Sequence, residues 1–239
     1  MRVSGWTGLV LALGLAGCAV PQPQLGRTPQ PPTRITEPAP LGTMQSFADI
    51  VARVEPVAEA LCRARTRGIP CDLQIVVDDR PGIPANAFQT RDDRGRPIVG
   101  FTVPLLQDAL NADEIAFVMG HEAAHHIAGH MARQQQLAMN GALVAGVLAA
   151  MSGADDAGVA RAQSLGANAA ARRYSKDFEL EADALGAQIA WMAGYDPVLG
   201  AQFFARLPDP GDKFLGTHPP NLLRIELVRQ RLAQLEAGR

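Results

Sequence analysis

The residues best placed to do chemistry are His121-Glu122-Ala123-Ala124-His125. On an α-helix, side chains four apart share a face, so His121 and His125 can turn two imidazole nitrogens toward one ion. Zinc takes such nitrogens at about 2.0–2.1 Å. Glu122 then stands beside the ion, where it can take a proton from a water held there. A catalytic zinc needs a third protein ligand and one open position. One layout takes that ligand from the same segment, as His-Glu-x-x-His-x-x-Gly-x-x-His. Gly129 and His130 are each one residue away from the places it requires, which excludes it. A later acidic stretch, Phe178 to Asp183, offers another source. Glu179 and Asp183 are four apart; Glu179 can bind the ion while Asp183 accepts a hydrogen bond from the far nitrogen of a ligand histidine. Glu181 faces roughly the other way. The competing reading of this stretch is a solvated acidic face. His126 reads as a supporting or surface residue and His130 as structural. His218, in Thr217-His218-Pro219-Pro220, sits in a loop fixed by two prolines and could hydrogen-bond the oxyanion of a tetrahedral intermediate.

These side chains need a scaffold. The spacing of Ile50, Val54, Val57 and Leu61 predicts a helix over 47–67, ended by Gly68-Ile69-Pro70. Leu73 to Val77, a segment entered at Asn86-Ala87-Phe88, and Pro97 to Val103 read as three strands of a small antiparallel sheet. Asn111-Ala112-Asp113-Glu114 is a helix start, and the helix is expected to run through the histidine motif to about Gln136. Leu137 to Met151 is apolar and rich in small residues. It is too short for a membrane span, and reads as part of a helical hairpin over the site or against a membrane, or as a plain buried helix. Helical stretches follow over 159–178, 180–193 and 221–236. The expected class is α+β, a mainly helical zincin-type domain with a small antiparallel sheet.

Composition limits the partners. The chain has 239 residues and a net charge of −2, with no basic stripe, so nucleic acid is not expected. Residues 1–17 resemble an export signal, with a short apolar run from Leu9 to Leu15. Leu15-Ala16-Gly17-Cys18 resembles the bacterial lipobox, in which the cysteine is lipidated; an ordinary secretory signal is the alternative. Ala19, where an aspartate would suggest inner-membrane retention, points toward the outer membrane. Residues 18–42 read as the lipidated cysteine and a proline-rich linker, whose stretch from Pro21 to Pro40 is extended and reaches on the order of 60 Å. The folded domain is assigned to 43–239. Cys62 and Cys71 are expected to pair in an oxidising compartment, with buried free thiols as the alternative.

Together these segments resemble the HtpX-like zinc metallopeptidases, gluzincins that include the CAAX prenyl endopeptidases and the mitochondrial Oma-type proteases. The resemblance rests on Asn86-Ala87-Phe88, His121 to His125 with His130, Ser175 to Asp183, Gly194-Tyr195-Asp196-Pro197, and Thr217 to Pro220 with Arg224. Lys176 stands where many members have arginine. The chain looks most like the short outer-membrane lipoprotein type, without transmembrane helices or a tetratricopeptide tail. The resemblance implies one zinc ion held by His121, His125 and Glu179, with Glu122 as base. It places His218 and Arg224 near the zinc, His218 as an aid or as a plug. It makes Asn86 to Phe88 a groove to which a peptide adds as a strand. The implied function is an endopeptidase acting on unfolded or misassembled envelope proteins, anchored by lipid at the periplasmic face of the outer membrane. A latent zinc protein working as a chaperone or binding lipoprotein is the alternative, and a metal hydrolase with a non-peptide substrate a third.

Overall fold

The computed structural model describes residues 44–173, 175–208 and 219–238. The proposed signal, Cys18 and the linker lie outside the described residues, as does His218.

Helix α1 (Met44–Arg65) packs along α3 (Ala112–Ile127), the helix that carries the histidine motif. Its apolar stripe meets the sheet as well; Phe47 lies edge-on to Phe101 with ring centroids 5.4 Å apart. The sheet contains β1 (Gln74–Asp78), β2 (Ala87–Arg91) and β3 (Pro97–Thr102), in the order β1-β3-β2. The three strands occur where expected, but the sheet is mixed. β2 and β3 form an antiparallel hairpin with Ala87 opposite Phe101, whereas β1 runs parallel to β3 with Val76 opposite Gly100. After β1 the chain crosses to the far side of the sheet before forming the hairpin, so its return strand β3 lands beside β1 in the same direction. β2 is thereby an outer strand.

Thr102 ends β3 and caps the short helix α2 (Val103–Asp108), accepting from Leu105 N; the expected strand end at Val103 is already helical. Asn111 caps α3 by accepting from Glu114 N at 2.9 Å, and Glu114 Oε2 reaches back to Leu110 N at 2.8 Å. The first bond satisfies an amide the first turn leaves without a helical partner, and the second ties the residue before the cap back to the helix. Glu114 is also gripped by Arg206, both guanidinium nitrogens lying 2.6 Å from its oxygens.

The long helix expected to reach Gln136 is two helices. Gly129 adopts φ 66° and ψ 31°, a left-handed conformation that costs glycine little. Its N–H bonds to His126 O, closing α3, and α4 (His130–Met151) sets off in a new direction. α4 forms an antiparallel hairpin with α5 (Asp156–Arg173). Gly141 and Gly166 make the contact: a β-carbon on either would fall 2.3 Å from the other's carbonyl oxygen. The large apolar side chains of α4 face outward, Leu143 being 65% and Met151 81% exposed, so the plain-buried-helix reading of 137–151 is wrong. No helix among the described residues is long and apolar enough to cross a membrane.

α6 (Ser175–Met192) crosses α3 closely. A β-carbon at Gly120 would lie 2.8 Å from Gly186 O, and one at Gly186 would lie 2.7 Å from His121 N. Two short helices that the sequence did not suggest, α7 (Pro197–Gly200) and α8 (Phe203–Arg206), lead toward α9 (Asn221–Ala237), which packs on α6. Cys62 and Cys71 are joined in a disulfide, Cα–Cα 5.6 Å, which fixes the loop between α1 and β1.

Candidate metal centre

The close crossing of α3 and α6 brings His121, His125 and Glu179 together. One ligand-type atom from each lies within 4.8 Å of the others. His121 Nε2 is 3.0 Å from His125 Nε2, and Glu179 offers Oε2 to the first at 3.6 Å and Oε1 to the second at 3.4 Å.

The far nitrogens decide what these near ones present. His121 Nδ1 is 2.9 Å from Asp183 Oδ1. An ionised carboxylate only accepts, so His121 donates from Nδ1 and carries a lone pair at Nε2. Asp183 is fully buried and held from the other side by Arg224, whose Nε and Nη2 each donate at 2.7 Å. The guanidinium lies 3.6 Å over the Phe204 ring and reaches Glu179 Oε2 at 3.4 Å. Burial alone would push the Asp183 carboxyl up, but the hydrogen bonds of Arg224 and His121 outweigh it and hold it below the ordinary 3.8.

The charge field of the site favours a cation. Burial pulls the His121 imidazole down, yet the hydrogen bond and charge of Asp183, with the charge of Glu179, hold its proton affinity above the ordinary 6.5. The surroundings that favour a proton on His121 Nε2 also favour a metal ion there. Two imidazole nitrogens and a carboxylate suit a divalent ion such as zinc, and the donor set fits.

Glu122 faces the same space. Burial, the largest influence, raises its carboxyl above the ordinary 4.5, which makes it a stronger base once ionised. Glu122, His121, His125, Glu179 and Arg224 line a cavity of about 560 Å³. Ala85, Asn86 and Ala87 form part of its wall, while Leu105, Val118 and Phe203 make another part apolar. Asn86 N donates to Thr102 Oγ1 at 2.8 Å, which pins the entry to β2. Phe88 does not line the cavity; its ring covers Gly100 on the sheet.

Two residues differ from their sequence reading, and a third does more than that reading gave it. His126 is buried, with Nε2 2.7 Å from Pro70 O, so it ties α3 to the disulfide loop rather than to the site or the surface. His130, expected to be merely structural, has Nδ1 2.8 Å from His125 Nδ1. Burial lowers its pKa to about 4, which keeps it neutral at neutral pH. Glu181 does point away from the three converging groups, but it is engaged: Oε2 lies 3.2 Å from His130 Nε2 and 2.7 Å from Arg133 Nη1. No local spacing marks the contacts of His130 with His125 and Glu181, because the turn at Gly129 creates them.

Comparison with known proteins gives two results. Residues 45–232 match peptidase family M48. A stretch of 135 residues, 54% of this chain, is 33% identical to a protein of Vibrio cholerae serotype O1 (strain ATCC 39315 / El Tor Inaba N16961) described as a "putative beta-barrel assembly-enhancing protease". The match spans 28% of that relative's length.

Proposed function

Because the chain belongs to peptidase family M48, we propose that the centre built by His121, His125 and Glu179 holds one zinc ion and that the protein is a metalloendopeptidase. The observation that carries this reading is the convergence of electron pairs from His121 Nε2, His125 Nε2 and Glu179 beside the Glu122 carboxylate. When bound there, zinc polarises a carbonyl and brings the pKa of water toward about 7. Glu122 receives the proton of the attacking water and returns it to the leaving amine. Asp183 and Arg224 keep His121 turned toward the ion, and Arg224 also steadies Glu179. The backbone at Asn86 and Ala87 offers an outer strand edge along which an extended peptide can lie, its side chains entering the apolar part of the cavity. His218 belongs to the same reading, either stabilising the oxyanion or capping the metal.

The substrates are unfolded or misassembled polypeptides of the bacterial envelope. The lipobox-like Leu15 to Cys18 and the proline-rich stretch after it support a lipid-tethered enzyme at the outer membrane. The description of the Vibrio relative as a β-barrel assembly-enhancing protease agrees with that compartment.

The test is Glu122→Gln. The amide is nearly isosteric but cannot take the proton, so the variant should retain one zinc per chain and lose cleavage of unfolded casein by at least about 100-fold. Cleavage at the wild-type rate would overturn the mechanism. Cleavage by wild type that survives thorough chelation, with no zinc in the sample, would overturn the metal assignment.

A further inference from the structure

The two histidines of the centre are oriented in different ways. His121 meets a carboxylate directly, through Asp183. His125 meets another imidazole: its Nδ1 lies 2.8 Å from His130 Nδ1. Two identical ring nitrogens at that distance share one proton, and either could own it. The far end of the chain of contacts settles the direction. Glu181 Oε2, already accepting from Arg133 at 2.7 Å, is an acceptor only, so His130 donates to it from Nε2 across 3.2 Å. A neutral His130 then has a lone pair at Nδ1. His125 must donate into it, which leaves His125 Nε2 as the bare nitrogen facing the centre.

The packing holds this chain in place. His130 is buried and stacked on Phe178, centroids 4.6 Å apart and planes 13° from parallel, with Arg133 4.4 Å from the same ring. On an unbroken helix residues 125 and 130 would point about 140° apart and could not meet. The left-handed turn at Gly129 swings α4 so that they do.

We propose that His130, held by Glu181 and Arg133, is the positioning residue that fixes the tautomer and ring orientation of His125. This rests on the zinc reading of the centre. Loss of a partner of this kind weakens metal binding by about 10–100-fold.

Zinc dissociation constants of the full chain, measured by competition with a chromophoric chelator, test the assignment. His130→Phe keeps a ring against Phe178 but offers no acceptor, and should bind zinc about 10–100-fold more weakly. His130→Asn loses the stacked ring but keeps an acceptor oxygen near the position of Nδ1, and should stay within about 3-fold of wild type. Glu181 lies at the surface, so its variants leave the core intact and decide the matter if His130→Phe fails to fold. Glu181→Gln still accepts from His130 and should match wild type; Glu181→Leu should bind more weakly than Glu181→Gln. Equal affinity in His130→Phe and wild type, equal loss in His130→Phe and His130→Asn, or equal affinity in the two Glu181 variants would each overturn the proposal. Wild type holding one zinc while the variants fail to separate defeats this inference alone; wild type holding none defeats the metal reading as well.

Discussion

Asp183 is a carboxylate with no exposure to water, and Arg224 is what keeps it ionised. Removing one partner of a buried ion pair leaves the other uncompensated, at a cost of about 3–5 kcal/mol. Arg224→Met should therefore destabilise the metal-free chain by about that amount in denaturant at pH 7. The effect has a definite dependence on pH. The folded-state pKa of Asp183 lies below the ordinary 3.8, so the stability it contributes is complete above that value and is lost as pH falls through the folded one. In the variant the carboxyl protonates more easily, and acid relieves the buried charge. The gap between wild type and Arg224→Met should narrow between pH 7 and pH 3; a gap that widened would mean Arg224 is not what holds Asp183 ionised. At this scale much of the site could be read from spacing, since His121/His125 and Glu179/Asp183 are helical neighbours within short segments. The bond from Arg224 to Asp183 joins residues 41 positions apart on different helices, and no periodicity encodes it. His130 and Glu181 escaped the reading because a continuous helix would keep His130 away from His125.

Helix α3 is anchored at several points besides its hydrophobic face. Its start is tied by Asn111, Glu114 and Arg206, and Asp113 accepts from Asp196 N at 2.7 Å. Further along, His126 meets Pro70 O in the loop closed by Cys62 and Cys71. Closing a loop of this size contributes about 2–3 kcal/mol in the chain-entropy account. Reduction, or a Cys62→Ser/Cys71→Ser double change, should lower stability by about that much and lower the melting temperature of the metal-free chain. A melting curve indifferent to reductant would show that the pair contributes nothing. The order and rough extent of most elements were legible, since apolar periodicity and caps are local signals. The mixed sheet was not, because a parallel pairing depends on the path of the chain between β1 and β3. The break at Gly129 was also missed: an isolated glycine in an apolar helix pattern looks the same whether it is right- or left-handed. The α4–α5 hairpin departs from the usual helix pattern, with glycine and alanine inside and Leu143, Val144, Leu148 and Met151 outside.

For the whole molecule, the proposed anchor makes a separable prediction. Cys18→Ser should release the chain from the membrane fraction while purified protein cleaves casein as wild type does. Membrane association that survives the change would remove the lipobox from the account. The centre itself is assembled from three distant stretches, 121–125, 179–183 and 224, and the packing of α3, α6 and α9 sets their separation. At Gly120 and Gly186 that separation has no slack, because each backbone already occupies the space where the other's first side-chain carbon would go. These two positions therefore limit how the chain can vary over generations. A single new methyl group at either would lengthen the reach from Glu179 to both imidazoles at once. Drift that the exposed faces of α4 and α9 can absorb is closed to this pair unless an entire helix moves to make room.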